Sequence, residues 1–213
     1  MKIGILGTGE VGKAIGQGFV TLGHEVKMGS RLSGNAKASA WAKSQGPLAS
    51  EGNFSDAAAF GEVVVLATLG VAAEDALRLA GVDAFRGKVV IDTTNPLDMS
   101  GGFPPKLAVA GADSGGERVQ RLLEGARVVK AFNTVGSAHM FRPQFPGGPP
   151  DMFLCGNEEG AKKKVAAILQ DFGWGIVDIG PIESSRYLEA MCMAWVLYGA
   201  RTNTWNHAFK LLR

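Results

Sequence analysis

Short apolar runs rich in Val and Ile recur along the chain, and segments of mixed polarity separate them. Together with one more polar run at 24–28, the strand candidates lie at residues 2–6, 62–67, 88–92, 127–132, 152–155 and 176–179. Continuous runs of this kind are typical of parallel strands that are covered on both faces of a sheet. The pattern predicts an α/β protein with a mostly parallel, doubly wound sheet.

The last 30 residues follow a helical period instead. Positions spaced alternately by three and four form one stripe: Leu188, Met191, Trp195, Tyr198, Thr202, Trp205, Phe209 and Leu212. The stripe predicts a single helix about 40 Å long at a rise of about 1.5 Å per residue, capped by Ser184 or Ser185. A small sheet cannot cover that length, so we expect part of the helix to pack on the core and the remainder to form a homodimer interface. We therefore divide the chain into residues 1–182 and a C-terminal helical extension, residues 183–213.

A glycine-rich loop follows the first strand directly, and a predicted helix over residues 10–22 follows the loop. Gly7 permits a tight turn, Gly9 allows a pyrophosphate to approach the backbone, and Gly12 lets the helix pack closely on the strand. The free amides and the dipole at the helix N-terminus favour negative charge. This order predicts a Rossmann-type dinucleotide-binding domain. The expected phosphate-binding residues are Gly7, Thr8, Gly9, Glu10, Val11 and Gly12.

The end of the second strand indicates which dinucleotide binds. An NAD-binding domain normally has an acidic residue here for the ribose 2′-hydroxyl, whereas this sequence has Gly29, Ser30 and Arg31. The planar guanidinium of Arg31 matches a phosphate, Ser30 offers a hydroxyl, and Lys37 adds a point charge. The alternative is that Arg31 is a solvated surface charge, but the preceding glycine loop favours a ligand contact. We therefore predict NADP(H) as the cofactor.

Further candidates come directly after the later strands. In a parallel sheet, ligands bind beyond the carboxyl ends of the strands. The alternative for each segment is an ordinary turn, in which Asn and Thr bond their own backbone. We expect Thr68 and Leu69 to contact the cofactor, and four residues to face the nicotinamide or its acceptor: Asn95, Pro96, Asn133 and Thr134.

Composition excludes several other classes of protein. Hydrophobic residues make up 46% of the 213 residues, charged residues make up 20%, and the formal net charge is +2, which is too small to indicate a nucleic-acid partner. The longest uncharged apolar run, residues 63–73, is about half of the ~20 residues needed to cross a bilayer. Because a strand begins at Lys2, we expect no signal peptide and a cytoplasmic location. Cys155 and Cys192 have no partner spacing, so we expect buried thiols and no metal site.

No constellation for acid–base or nucleophilic catalysis is evident in the sequence. His24, His139 and His207 are expected to be structural or solvated, although His139 follows the Asn133 segment and can face the site. Oxidation of an alcohol needs a positioned proton acceptor, whereas hydride exchange between a nicotinamide and a flavin-like ring depends mainly on the stacking of two rings. The sequence therefore favours the second reaction.

Several segments resemble the NADPH-dependent reductases of the deazaflavin coenzyme F420. The resemblance extends over nearly the whole chain and rests on ILGTGEVGKAI at 5–15, GSR at 29–31, VVKAFNTV at 128–135, FLCGN at 153–157 and DIGPIESSRYLEAM at 178–191. It implies that the GSR segment binds the 2′-phosphate and that Thr8, Gly9, Glu10 and Val11 bind the pyrophosphate. It also implies an acceptor stacked on the nicotinamide, in a dimer. The KAFNT segment is similar, too, to the oxidoreductase domain of the STEAP metalloreductases, in which FAD is the acceptor.

Two alternatives remain at this stage. Dehydrogenases of the β-hydroxyacid or pyrroline-carboxylate type begin with the same nucleotide domain, but a large helical domain follows it, and here only about one helix follows Asp178. A protein that senses NADP(H) without turnover would need no acid or base either. We predict an NADPH-dependent reductase with F420, FMN or FAD as acceptor.

Overall fold

The computed structural model describes residues 1–212, which form ten strands and seven α-helices. The strands are β1 Lys2–Leu6, β2 Glu25–Ser30, β3 Ala49–Asn53, β4 Val63–Leu66, β5 Val89–Asp92, β6 Leu97–Asp98, β7 Lys106–Leu107, β8 Arg127–Lys130, β9 Asp151–Gly156 and β10 Gly175–Asp178. The helices are α1 Glu10–Thr21, α2 Ala36–Gln45, α3 Phe54–Phe60, α4 Ala73–Ala80, α5 Gly115–Leu122, α6 Glu159–Asp171 and α7 Ser185–Thr202.

Eight of the strands form one sheet in the order β3-β2-β1-β4-β5-β8-β9-β10. The first six strands in this order pair in parallel. Strand β9 pairs antiparallel with β8, and β10 pairs in parallel with β9. Strands β6 and β7 form a separate antiparallel pair. The predicted Rossmann-type, mostly parallel α/β fold is confirmed. Because β4, β5 and β8 are adjacent and parallel, the segments that follow them meet at one edge of the sheet.

Apolar side chains on both faces of the sheet build two cores. Ile3 and Ile5 of β1 point to one face, where they pack with Ile15 and Phe19 of α1. Val64 of β4 and its neighbour Leu66 point to the other face, where Leu77 of α4, Val119 of α5 and Leu188 of α7 cover them. This two-sided burial explains the continuous apolar runs, since every second residue along a strand faces each core.

Strand β3 at the edge of the sheet was not predicted. Its residues, Ala49-Ser-Glu-Gly-Asn53, contain no apolar run, and Gly52 alone among them is buried. The strand forms because its backbone pairs with β2 from Val26 to Ser30. Partner strands rather than side-chain pattern determine this element, as is usual for sheet edges.

The prediction that the terminal helix continues to Leu212 is wrong. Helix α7 ends at Thr202, and Asn203 adopts a left-handed conformation with φ of 51°, so the chain turns back on itself. The Trp205 ring then packs on Trp195 with centroids 5.3 Å apart. The carbonyl of Phe209 accepts a hydrogen bond from the amide of Asp151. The Trp195 ring is thus partly covered by a returning segment rather than by a longer helix.

The start of this helix also differs from the prediction. A turn of 3-10 helix, Ile182–Ser184, leads into α7, and neither serine caps it through its side chain. The hydroxyl of Ser184 donates to the carbonyl of Ile179, and that of Ser185 lies 3.3 Å from the thiol of Cys155.

Candidate functional site

A cavity of about 530 Å³ opens at the carboxyl edge of the sheet, around β1, β2 and β4. The loop after β1 forms one wall, the end of β2 forms the second, and the segment after β4 forms the third. Its lining residues are Gly7, Thr8, Gly9, Glu10, Val11, Ser30, Arg31, Leu32, Asn35, Phe54, Ala67, Thr68, Leu69, Ala72 and Ala76. The structure therefore brings together nearly all of the predicted cofactor-binding residues.

The three loop glycines have different local environments. Gly7 has φ of +131°, and a Cβ there would lie 2.3 Å from the carbonyl oxygen of Ala67. A Cβ at Gly12 would lie 2.4 Å from the carbonyl oxygen of Gly7. A Cβ at Gly9, in contrast, meets no atom within 4 Å, although Gly9 lines the cavity. Gly7 and Gly12 are thus needed for the fold of the loop, whereas Gly9 keeps space open for a ligand.

Helix α1 directs its N-terminus at this cavity. Gly9 is the N-cap residue and has no side chain to bond the first-turn amides, which remain available to an anion. The carboxylate of Glu10 lies in the same turn, but Lys13 Nζ donates to its Oε1 at 2.8 Å. That hydrogen bond, and then the charge of Lys13, lower the pKa of Glu10. The lysine offsets the negative charge where a phosphate would bind.

The end of β2 brings Ser30 and Arg31 to the opposite wall of the cavity. Arg31 is exposed, while Ser30 is buried and its hydroxyl donates to the carbonyl of Leu32. Ser30 therefore shapes the turn that presents Arg31. Lys37 does not line the cavity; with Lys13 and Trp41 it borders a separate surface groove. Its charge therefore acts on the cavity only through long-range electrostatic attraction.

A second cavity of about 640 Å³ adjoins the first and shares Val11, Thr68 and Leu69 with it. It extends over the carboxyl ends of β4 and β5. Its other lining residues are Gly70, Val71, Thr93, Thr94, Asn95, Leu97, Asp98 and Met99. The hydroxyl oxygen of Thr68 is buried at the junction of the two cavities and has no hydrogen-bond partner within residues 1–212. An unpaired buried hydroxyl at this point is available to a ligand.

The structure joins the predicted residues Asn95 and Asn133 directly. Asn95 Nδ2 donates to the carbonyl of Asn133 at 2.8 Å, and Asn133 Nδ2 donates to Asn95 Oδ1 at 2.9 Å. Asn133 Nδ2 also donates to the carbonyl of Leu188 on α7. Asn133 and Thr134 are each 3% exposed, and neither lines the second cavity. Pro96 lines a smaller cavity of about 240 Å³ between α4 and α5.

A buried ion cluster lies beneath these amides. Lys130 at the end of β8 has no exposed surface, and its ammonium contacts Asp92 Oδ2 at 2.8 Å and Glu189 Oε1 at 2.9 Å. Burial alone would lower the pKa of Lys130, but the charges of Asp92 and Glu189 outweigh burial and raise it. The lysine is therefore a permanent cation at the base of the site.

Residues 2–96 match the family described as NADP oxidoreductase, coenzyme F420-dependent. A crystal structure from Arthrobacter sp. FB24, provisionally described as an F420-dependent NADP reductase, is 36% identical over the full length of both chains, with a TM-score of 0.94. The chain belongs to this family of NADP oxidoreductases. It is an NADP(H)-dependent enzyme with a Rossmann-type fold.

Two curated proteins are also similar to this family member. The F420-dependent NADP reductase of Methanothermobacter thermautotrophicus is 28% identical over 99% of this chain and 94% of its own length. The metalloreductase STEAP3 of Rattus norvegicus is 28% identical over 89% of this chain, which spans only 36% of the length of STEAP3. Among residues 1–212, no helix has the length and apolar character needed to cross a membrane.

The two cavities fit an NADP(H) molecule in their chemistry. The helix N-terminus suits a pyrophosphate, Arg31 suits a phosphate at the adenosine ribose, and the unpaired hydroxyl of Thr68 lies between the adenosine side and the second cavity. The open space at Gly9 lets a ligand reach the loop backbone. These observations agree with the cofactor class that family membership establishes.

Several lining residues were missed at the sequence level: Leu32, Asn35, Phe54, Ala72 and Ala76. Asn35 carried a usable signal, because its side chain accepts from the amides of Lys37 and Ala38 and caps α2. Phe54 carried none, since it reaches the cavity through the unpredicted strand β3.

Other titratable residues lie apart from both cavities. The His139 ring packs against Phe145 with centroids 4.8 Å apart, and burial lowers its pKa. Burial raises the pKa of Cys155 and of Cys192 to about 11, so both are neutral thiols. No cluster of metal-ligating side chains occurs within residues 1–212.

Proposed function

We propose that the enzyme transfers a hydride between NADPH and the ring of a deazaflavin such as F420, or of a flavin such as FMN or FAD. The observation that supports this most is the second cavity, which adjoins the dinucleotide cavity. Among residues 1–212, Asp98 is the one titratable residue that lines it. Such a wall suits ring stacking better than proton abstraction. The names of the similar F420-dependent reductases support the same acceptor class.

In this proposal the dinucleotide lies across both cavities. Arg31, with Ser30 shaping its turn, binds the 2′-phosphate, and the amides of the first turn of α1 bind the pyrophosphate. Thr68 and Leu69 border the nicotinamide half, because they belong to both cavities. Lys37 contributes only long-range attraction. The nicotinamide and its acceptor then meet near Asn95, with Pro96, Asn133 and Thr134 behind that wall.

The reaction needs little from the protein besides geometry. NADPH supplies a hydride, which carries two electrons, and an oxidised acceptor ring takes it up together with one proton from solvent. Holding two rings in contact accounts for much of the rate in such a transfer. Val11, Leu69 and Met99 are apolar residues of the second cavity and exclude water from the stacked rings.

The test is anaerobic NADPH oxidation, followed by absorbance, with F420, FMN, FAD or no acceptor in parallel samples and with NADH as a control donor. We expect NADPH-dependent turnover with at least one ring acceptor and little with NADH. Tight NADPH binding without NADPH oxidation in the presence of any acceptor would contradict the proposal. The remaining interpretation would then be a protein that senses NADP(H).

A dehydrogenase of the β-hydroxyacid or pyrroline-carboxylate type is not favoured. After β10, residues 179–212 contain one α-helix, α7, and a segment that folds back on it. The proteins that this chain matches over nearly their whole length carry the names of F420-dependent NADP reductases instead.

We further propose that the enzyme is a homodimer through α7. The helix has no charged residue from Ala190 to Ala200, and its exposed positions include Tyr187, Leu197 and Tyr198, which are 69%, 48% and 53% exposed. A helix that is apolar all round is normally buried on every side. A second copy of α7 is the occupant that fits, because closed two-fold dimers bring the same surface of both copies together.

Leu197→Glu should convert this dimer into a monomer, because two buried carboxylates would face each other across the two-fold axis. The measurement is the molar mass in solution by sedimentation or light scattering. Leu79→Glu is the matched control, since Leu79 is 59% exposed on α4, away from α7. A monomeric wild-type protein, or equal masses for all three proteins, would contradict the dimer.

A further inference from the structure

The buried cluster around Lys130 joins four separate parts of the chain beside the second cavity. The ammonium has three protons and three acceptors: Asp92 Oδ2 on β5, Glu189 Oε1 on α7, and the carbonyl oxygen of Thr94 at 2.8 Å. Glu189 accepts in turn from the amides of Gly115 and Gly116 at the start of α5. The lysine is thus saturated by acceptors and has no donor left for a ligand.

Thr94 is held from two sides by this cluster. Asp92 Oδ1 accepts from the amide of Thr94 at 2.9 Å and from its hydroxyl at 2.7 Å, while Lys130 holds the carbonyl of Thr94. Every polar group of Thr94 therefore bonds to the ion pair. Since Thr94 lines the second cavity between Thr93 and Asn95, the ion pair defines the position of that wall.

A second layer of bonds lies next to the first and fixes Asn95. Asn133, three residues after Lys130, exchanges two hydrogen bonds with Asn95. Phe132, which lies between Lys130 and Asn133 in the sequence, has φ of 62°, an unfavourable conformation for an aromatic residue. Its ring packs against Phe172. Such backbone strain persists where the surroundings impose it, and it is concentrated at functional sites.

We propose that Lys130 is a positioning residue, which acts through the carbonyl of Thr94 to set the wall of the second cavity for the nicotinamide and its acceptor. This inference rests on the proposed function and adds a residue that touches neither ring. A fully buried pair of carboxylates and one ammonium is rarely more stable than apolar side chains of the same volume. Its three-way geometry, which no apolar residue reproduces, is what the wall requires.

Lys130→Met tests this role, because methionine keeps the unbranched shape and removes all three bonds. Lys162→Met is the control: Lys162 is also buried and pairs with two carboxylates, Asp178 at 2.9 Å and Glu159, but both carboxylates are exposed, and it lies on α6 beside β10 and borders neither cavity. Both variants are expected to lose stability. In Lys130→Met alone, we expect kcat to fall by about tenfold, since misplacement by about 1 Å can cost up to 10²-fold.

The affinity for adenosine 2′,5′-bisphosphate reports on the fold of the dinucleotide cavity around β1, β2 and β4, away from the second cavity. In Lys130→Met its Kd should stay within about twofold of the wild-type value, while the Kd of NADPH should rise by about threefold, which corresponds to one lost weak contact. The ratio of the NADPH Kd to the adenosine 2′,5′-bisphosphate Kd is measured without an acceptor. It therefore tests the positioning role even if the wild-type enzyme turns over none of the ring acceptors. In that case the proposed function fails and the ratio still decides the inference.

Thr94→Val provides a second variant in case Lys130→Met does not fold. It removes only the hydroxyl bond to Asp92, and we expect kcat to fall by about threefold with unchanged binding of adenosine 2′,5′-bisphosphate. The inference is overturned if folded Lys130→Met keeps both kcat and the Kd ratio of the wild type, or if Lys162→Met shows the same losses. When Lys130→Met does not fold, wild-type values in Thr94→Val overturn it.

Discussion

Replacing Gly9 with alanine is expected to leave the fold intact and to weaken NADPH binding by about ten- to a hundredfold. A Cβ at Gly9 meets no protein atom within 4 Å, but it occupies the cavity where the pyrophosphate approaches the first turn of α1. Loss of a hydrogen bond to a charged group costs about 1.5–3 kcal/mol, which gives that range of affinity. Fluorescence titration with NADPH measures the Kd, and thermal unfolding measures the stability.

Gly7→Ala is the contrasting variant at the same loop. Its Cβ would lie 2.3 Å from the backbone carbonyl of Ala67, at a φ of +131° that side chains rarely adopt. We expect the free energy of unfolding to fall by about 3 kcal/mol or more. Normal NADPH affinity in Gly9→Ala, or a stability loss equal to that of Gly7→Ala, would mean that the space at Gly9 does not serve the ligand.

Local signals explain why the dinucleotide loop could be predicted from the sequence. Glycine is required at residue 7 by its φ of +131° and at residue 12 by atoms of the preceding loop and strand, so the spacing itself carries the information. Arg31 is likewise defined by its position directly after β2. Lys37 lies outside the lining of the dinucleotide cavity, because the direction of α2 is a tertiary property.

Long-range pairing explains what the sequence did not reveal. Phe54 lines the cavity only because β3, a strand without an apolar run, pairs with β2. Asn95 and Asn133 were expected at the same edge of the sheet, but their mutual hydrogen bonds join residues 38 positions apart, and the residue before Asn133, Phe132, is left-handed. Neither feature has a local pattern.

The terminal helix shows a different limit of periodicity. Trp205 continues the spacing of the apolar stripe, yet it lies on a segment that folds back over Trp195 after the left-handed residue Asn203. A Cβ at Gly199 would lie 2.5 Å from the Trp205 ring, so this glycine permits the close return of the chain. Periodicity reports which residues are covered, and it does not distinguish a longer helix from a chain that turns back.

Arg31→Ala should weaken NADPH binding by about ten- to a hundredfold and leave NADH binding nearly unchanged. The exposed guanidinium at the end of β2 borders the dinucleotide cavity and matches a phosphate bidentately, and one such charged contact is worth about 1.5–3 kcal/mol. The effect should diminish at high ionic strength, because the contact is at the surface. Parallel titrations with NADPH and NADH at two salt concentrations measure both expectations.

Two further variants make this prediction specific. Arg31→Lys keeps the charge but loses the planar fork of donors, so its NADPH affinity should lie between those of the wild type and Arg31→Ala. Arg86→Ala removes an exposed arginine that pairs with Asp83 before β5, at the opposite edge of the sheet, and should change neither affinity. Equal losses for NADPH and NADH in Arg31→Ala would show that Arg31 acts on the whole site rather than on the 2′-phosphate, and the cofactor preference would then have to come from another residue of the cavity.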